Sequence, residues 1–144
     1  MNKPSSKTQY ERYKETQIKT ASQGKLIVML YDGAIRFLNM ARSFIDEKNI
    51  EDSHKNIVKA QDIIMELLLS LNMEAGEIAQ KLYNLYLYLN KKLMEANMYK
   101  KKEPIDEVIK ILSEMREVWE EAASKTTSNS GSALEKNNSV NIST

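Results

Sequence analysis

The sequence predicts an all-α fold: an antiparallel up-down-up-down four-helix bundle with an N-terminal arm and a disordered C-terminal tail. Three observations carry that prediction. Apolar residues recur at alternating steps of three and four along four long segments, the seam of a packed helix. Only two prolines and four glycines interrupt 144 residues, while Leu, Ile, Lys, Glu, Ala and Met are plentiful, a composition that favours helix. The connections between segments are short, so consecutive helices are expected to run antiparallel. A single domain of this length buries about 68–70% of its unfolded surface, enough for one core.

The first helix is expected after Ser22, whose hydroxyl suits an N-cap by accepting from an orphan N–H of the first turn. Its seam reads Ile27, Leu30, Ala34, Phe37, Ala41 and Phe44, widened by Tyr31, Leu38 and Ile45. Asn49 is the expected cap of a second helix, with Glu51 and Asp52 placed favourably to the helix dipole. Its stripe is Ile57, Ala60, Ile64, Leu67, Leu68 and Leu71, and Asn72 and Gly76 break the pattern. A third helix carries Ile78, Leu82, Leu85, Leu89, Leu93 and Ala96, flanked by Tyr83, Tyr86 and Tyr88. The run Lys100 to Lys102 follows at the end where the dipole favours cations. Pro104 suits the start of a fourth helix, where a missing N–H leaves no bond unmade. Ile105, Val108, Leu112, Met115, Trp119 and Ala122 supply its stripe.

Three parts are therefore expected: an arm over residues 1–21, a bundle over 22–123 and a tail over 124–144. The arm holds little apolar content beyond Tyr10, Tyr13 and Ile18. In the tail, 13 of 21 residues are Ser, Thr or Asn, too few apolar groups to offset an ordering cost of roughly 1–2 kcal/mol per residue.

Composition removes several function classes. A net charge of +1, from 21 basic and 20 acidic residues, provides no global field for nucleic acid or anionic membrane. Lys91, Lys92 and Lys100 to Lys102 read as the solvated end of a helix. Zero cysteines excludes disulfides and thiol ligands and fits a reducing compartment. The N-terminus MNKPSSKTQYERYKE has no apolar core for a secretory signal, and no apolar run is long enough to span a membrane. A soluble, cytoplasmic domain without stable membrane insertion is expected. Glu51-Asp52-Ser53-His54 has the Glu-x-x-His spacing of a di-metal bundle, but His54 is the only histidine, so the second motif such a site requires cannot exist. No nucleophile pair or glycine-rich phosphate loop is present either. The chain is not expected to be an enzyme or to need a metal or cofactor.

What remains is an apolar excess. Tyr86 and Tyr88 lie about 200° apart on a helix, so they cannot both face one core. Either the tyrosines sit at the core edge with wet hydroxyls, or part of the excess forms an exposed groove that marks a partner site.

Three stretches bear on that choice: YKETQIKTASQGKLIVMLYDGAIRFL (13–38), KAQDIIMELLLSLNMEAGEIAQKLYNLYLYLNKKLMEAN (59–97) and PIDEVIKILSEMREVWEEA (104–122). Together they closely resemble the flagellin export chaperone family known as FliS. The resemblance implies a chaperone, monomeric when free, that acts in the bacterial cytoplasm. It implies binding to the disordered C-terminal segment of flagellin, which prevents premature polymerisation. Delivery to an export-gate component of the flagellar type III apparatus is implied as well. The candidate contact residues are Tyr10, Tyr13, Ile18, Leu26, Leu30, Tyr31, Leu67, Leu71, Tyr83, Tyr86 and Leu93. Within the family the arm can cover the groove until the client arrives, a role that falls on Tyr13 and Ile18; alternatively Tyr13 and Ile18 only staple the entry of the first helix. Where family members often carry Ser-Pro-Glu-Lys, this chain has Ser22-Gln23-Gly24-Lys25, and the glycine is expected to loosen the first helical turn by about 1 kcal/mol. A reading from another class is a structural helical adaptor assembled constitutively through the same apolar face.

Overall fold

The computed structural model describes residues 8–143, with side chains for residues 8–12 and 23–125. Helix α1 spans Gln9–Asp46, α2 Ile50–Leu69, α3 Glu77–Tyr99 and α4 Glu103–Ser143, with a 3-10 turn at Met73–Ala75. No strand occurs among the described residues. The chain divides into two compact units, residues 28–117 and residues 1–27 with 118–144.

Two boundaries differ from those the sequence predicts. Helix α1 begins at Gln9 and runs through Ser22 rather than starting after it. Thr8 acts at its start: the hydroxyl accepts from the Glu11 N–H at 3.1 Å. Helix α4 runs to Ser143, past the boundary expected at residue 123. The physical reason is common to both. Starting a helix is the costly step, whereas each further residue costs only a few tenths to about 1 kcal/mol. No proline lies between Pro4 and Pro104 or after Pro104 to stop propagation. The side chains of Tyr13 and Ile18, and of the tail beyond Lys125, lie outside the described residues.

Residues 28–117 build a four-helix bundle whose core is the apolar stripe of each helix. Tyr31, Ala34, Leu38 and Ala41 of α1 are buried together with Ile57, Ala60, Ile64 and Leu67 of α2. From α3 come Ala79, Tyr86, Leu89, Leu93 and Ala96, and from α4 Ile105, Val108 and Leu112. Each large aliphatic side chain so buried contributes roughly 1.5–3 kcal/mol. Ile78 departs from the expected stripe at 73% exposure, because Ala79 takes the inward position at the start of α3.

Punctuation follows local chemistry. Asn49 caps α2 as expected, its side-chain oxygen accepting from the Asp52 N–H at 3.1 Å. Asn72 caps the 3-10 turn in the same way, and Gly76 leaves it at φ +88°, a conformation that other L-residues rarely adopt. Lys100 ends α3 in the left-handed region, and the buried Pro104 sits in the first turn of α4. The buried polar residues Ser53 and Asn56 of α2 turn back onto carbonyls of their own helix, Ile50 and Asp52.

In the second unit the close approach is between α1 and α4. A Cβ at Gly24 would lie 3.0 Å from Ala123 Cβ. Gly24 is therefore not a loosened first turn, as the sequence suggested, but a mid-helix position where a neighbour comes near.

A candidate docking face on α2 and α3

Within residues 28–117 the seams between neighbouring helices differ in chemistry. The α1–α4 seam is charged: Asp32 pairs with Arg116, Arg42 with Asp106 at 2.7 Å and Asp46 with Lys102 at 2.6 Å. The hydrogen bond and charge of Asp46 hold the Lys102 ammonium above its ordinary pKa. The α3–α4 seam is polar as well. Tyr88 donates to Glu107 at 2.5 Å, and Lys92 lies 3.6 Å from both Glu95 and Glu107. The bond to Glu107 raises the Tyr88 pKa, and Glu95 raises that of Lys92. A concavity beside the α3–α4 turn is lined by Lys92, Glu95 and Glu107 with Lys101, Glu103 and Pro104, a poor anchor for an apolar chain. On the α1–α2 side, the Phe37 ring carries the cations of Arg36 and Lys59 at 5.7 and 5.4 Å.

The α2–α3 seam is joined by uncharged side chains. Gln61 donates to the Asn90 carbonyl oxygen at 3.0 Å, and Asn97 contacts His54 Nδ1 at 2.8 Å. Lys100 donates to the Asn97 oxygen, which turns the Asn97 N–H group toward His54.

Outside this row of amides lie apolar side chains, interspersed with the exposed Gln80 and Lys91 of α3 and Glu51 of α2. Tyr83, Leu87, Met94 and Met98 of α3 fall within an arc of about 60° at 100° per residue. That arc adjoins Asn90, which also donates to Met94 Sδ at 3.9 Å. On α2 the positions next to Gln61 and His54 are Val58, Met65 and Leu69 by the same geometry. Exposure is 43% at Leu87, 54% at Met94, 71% at Met98 and 75% at Leu69. Two antiparallel helices thus present a two-sided apolar track with a polar floor. Such a track fits an amphipathic helix or extended chain, and methionine lets it adapt to the occupant.

The residues singled out from sequence separate into four groups. Tyr31, Leu67, Tyr86 and Leu93 are core residues, at most 2% exposed. Their periodicity was that of the core itself. Leu30, Leu71 and Tyr83 are half-buried, and only Tyr83 borders the α2–α3 track. Tyr10 and Leu26, in the second unit, are exposed. The side chains of Tyr13 and Ile18 lie outside the described residues. Sequence reasoning missed Met65, Leu69, Leu87, Met94 and Met98. A signal existed: α3 carries a second apolar series, 83, 87, 94 and 98, off its core stripe.

Among the described residues no His, Asp and Glu side chains converge as a set of three metal ligands would. No described helix is long and apolar enough to cross a membrane.

Comparison with known proteins agrees with this architecture. The family profile described as Flagellar protein FliS matches residues 6–126. The flagellar secretion chaperone FliS of Bacillus subtilis is 31% identical over 113 residues, covering 78% of this chain and 84% of its own length. The protein of the same name from Salmonella typhimurium is 35% identical over 113 residues, covering 77% and 84%. That from Campylobacter jejuni is 33% identical over 119 residues, covering 82% and 93%.

Proposed function

Since the chain belongs to the FliS family of flagellar secretion chaperones, we propose that it binds the disordered C-terminal segment of flagellin along the α2–α3 face. Binding takes place in the bacterial cytoplasm, withholds the segment from polymerisation and carries it to the flagellar export gate. The observation that supports this reading is the contrast between seams. The α1–α4 and α3–α4 edges are bridged by ion pairs, whereas α2–α3 is joined by amides and flanked by Met65, Leu69, Leu87, Met94 and Met98.

The mechanism is coupled folding and binding. A disordered segment gains helical structure as its apolar anchors enter the track, at an ordering cost of roughly 2–5 kcal/mol. That cost keeps the complex reversible, as delivery requires. Gln61, Asn90 and Asn97 meet polar atoms of the segment without adding a net charge to the floor. No nucleotide or metal takes part in binding.

Calorimetric titration with the C-terminal segment of flagellin from the same organism tests the proposal. One-to-one binding with a negative heat-capacity change is expected, and Leu87→Asp with Met94→Asp should abolish it while the thermal melt is retained. Tyr13→Ala, measured in parallel, reports on the arm. Absence of binding by the folded wild-type chain would overturn the assignment of flagellin as client.

A further inference from the structure

The proposed docking face is unusually rich in one oxidisable group. The chain has eight methionines and no cysteine, so thioethers are its only sulfur chemistry. Met65, Met94 and Met98 stand on the α2–α3 face at 41%, 54% and 71% exposure. These side chains are exposed in the free protein and would be covered by a bound segment. Two further methionines, Met29 and Met40, are exposed on α1 and serve as internal references.

Resting on the docking site proposed above, we infer that this face is a peroxide-sensitive surface: oxidation of Met65, Met94 and Met98 to sulfoxides releases the client and prevents its rebinding. The reaction is oxygen-atom transfer from hydrogen peroxide. The O–O bond breaks, an S–O bond forms, the sulfur loses two electrons, and the peroxide is reduced to water. Each product side chain is polar where the segment needs an apolar contact. At Met94 the effect is reinforced locally. Asn90 already points an N–H at the sulfur, and a sulfoxide oxygen is a far better acceptor for it than a thioether. The new oxygen is thereby held on the floor of the track. Because the oxidised positions are exposed, the core is untouched and the bundle stays folded. The change is reversible by methionine sulfoxide reductases, so the free chaperone can be restored.

The test uses the full chain. Protein is treated with hydrogen peroxide, sulfoxides are mapped by peptide mass spectrometry, and the flagellin C-terminal segment is titrated into treated and untreated samples. Treatment is expected to weaken binding by about tenfold or more, with recovery after reductase and thiol. The triple variant Met65→Leu, Met94→Leu, Met98→Leu is compared with its own untreated state, and its affinity should not respond to peroxide although Met29 and Met40 oxidise. The double variant Met94→Gln with Met98→Gln, polar from the outset, should bind weakly without oxidant. Equal affinity of treated and untreated wild type, with the three sulfoxides present, would overturn the inference and leave the docking site standing. An equal peroxide response in the leucine variant would overturn it too. Failure of untreated wild type to bind would instead remove the docking site and the inference with it.

Discussion

Tyr31 of α1 and Tyr86 of α3 meet hydroxyl to hydroxyl at 2.5 Å in the core of residues 28–117, and Met115 of α4 lies 3.9 Å from the Tyr31 oxygen. Both rings are almost completely buried. Three helices are thus tied at one polar point in the core. A buried hydroxyl must be hydrogen-bonded to avoid a desolvation cost of about 1–3 kcal/mol, so this pair fixes how α1 and α3 register against each other.

Either single change, Tyr31→Phe or Tyr86→Phe, removes one half of the pair and should destabilise the bundle by about 1–2 kcal/mol. The double variant should lose less than the sum, because two apolar rings need no polar partner. Urea unfolding of the four proteins in the cycle gives the coupling directly. Strict additivity would mean the two hydroxyls do not act as a pair.

Alkaline pH probes the same point. Burial pushes the Tyr86 pKa above its usual value, and the hydrogen bond with Tyr31 only partly offsets this. A folded-state pKa raised above the unfolded one means the folded chain holds its proton more tightly. The contribution is fully present below about pH 10 and is lost as pH rises through the folded value. Lys102 adds to the same limb, since the bond to Asp46 raises its pKa. Thermal melts between about pH 8 and about pH 11 should fall steeply at the upper end. In Tyr86→Phe the fall should be shallower.

Two helical glycines, Gly24 and Gly33, should answer oppositely to substitution. A Cβ at Gly33 would meet only the flexible tip of Ile63, at 3.3 Å. Gly33→Ala should therefore be neutral or stabilising by up to about 1 kcal/mol. Gly24 faces Ala123 Cβ at 3.0 Å, a methyl that cannot turn away. Gly24→Val should destabilise the contact between α1 and α4 in that unit by about 1–3 kcal/mol. Differential scanning calorimetry, with hydrogen exchange around residues 24 and 123, separates the two effects.

Much of the bundle was legible because its signals are local. Three–four spacing identified the buried Ile57, Ala60, Ile64 and Leu67 of α2 and Ile105, Val108 and Leu112 of α4, though Ala122 at the end of the expected α4 stripe is exposed. Asn49, Asn72, Gly76 and Pro104 marked the breaks through chemistry that acts within a few residues. The angular separation of Tyr86 and Tyr88 correctly implied that they face different surroundings: Tyr86 is buried and Tyr88 is 40% exposed. Helix ends were harder to place. Ser22 has the chemistry of a cap, yet a backbone already helical from Gln9 passes through it, since no nearby residue forbids propagation. The candidate face was read least well. Periodicity finds whichever apolar residues share a stripe, and the strongest stripe is the core, so Tyr31, Leu67, Tyr86 and Leu93 were drawn in. Recognising Leu87, Met94 and Met98 as a separate series required knowing which side of α3 its neighbours cover.

The central claim, that the client lies along α2 and α3, is tested most directly by methyl NMR of the methionines. Met65, Met94 and Met98 stand on that face, while Met29 and Met40 stand on α1 and Met73 in the turn before α3. Titration with the flagellin C-terminal segment should shift or broaden the methyl signals of Met65, Met94 and Met98 and leave those of Met29 and Met40 in place. Saturating binding that moves Met29 and Met40 while Met65, Met94 and Met98 stay unchanged would contradict the account.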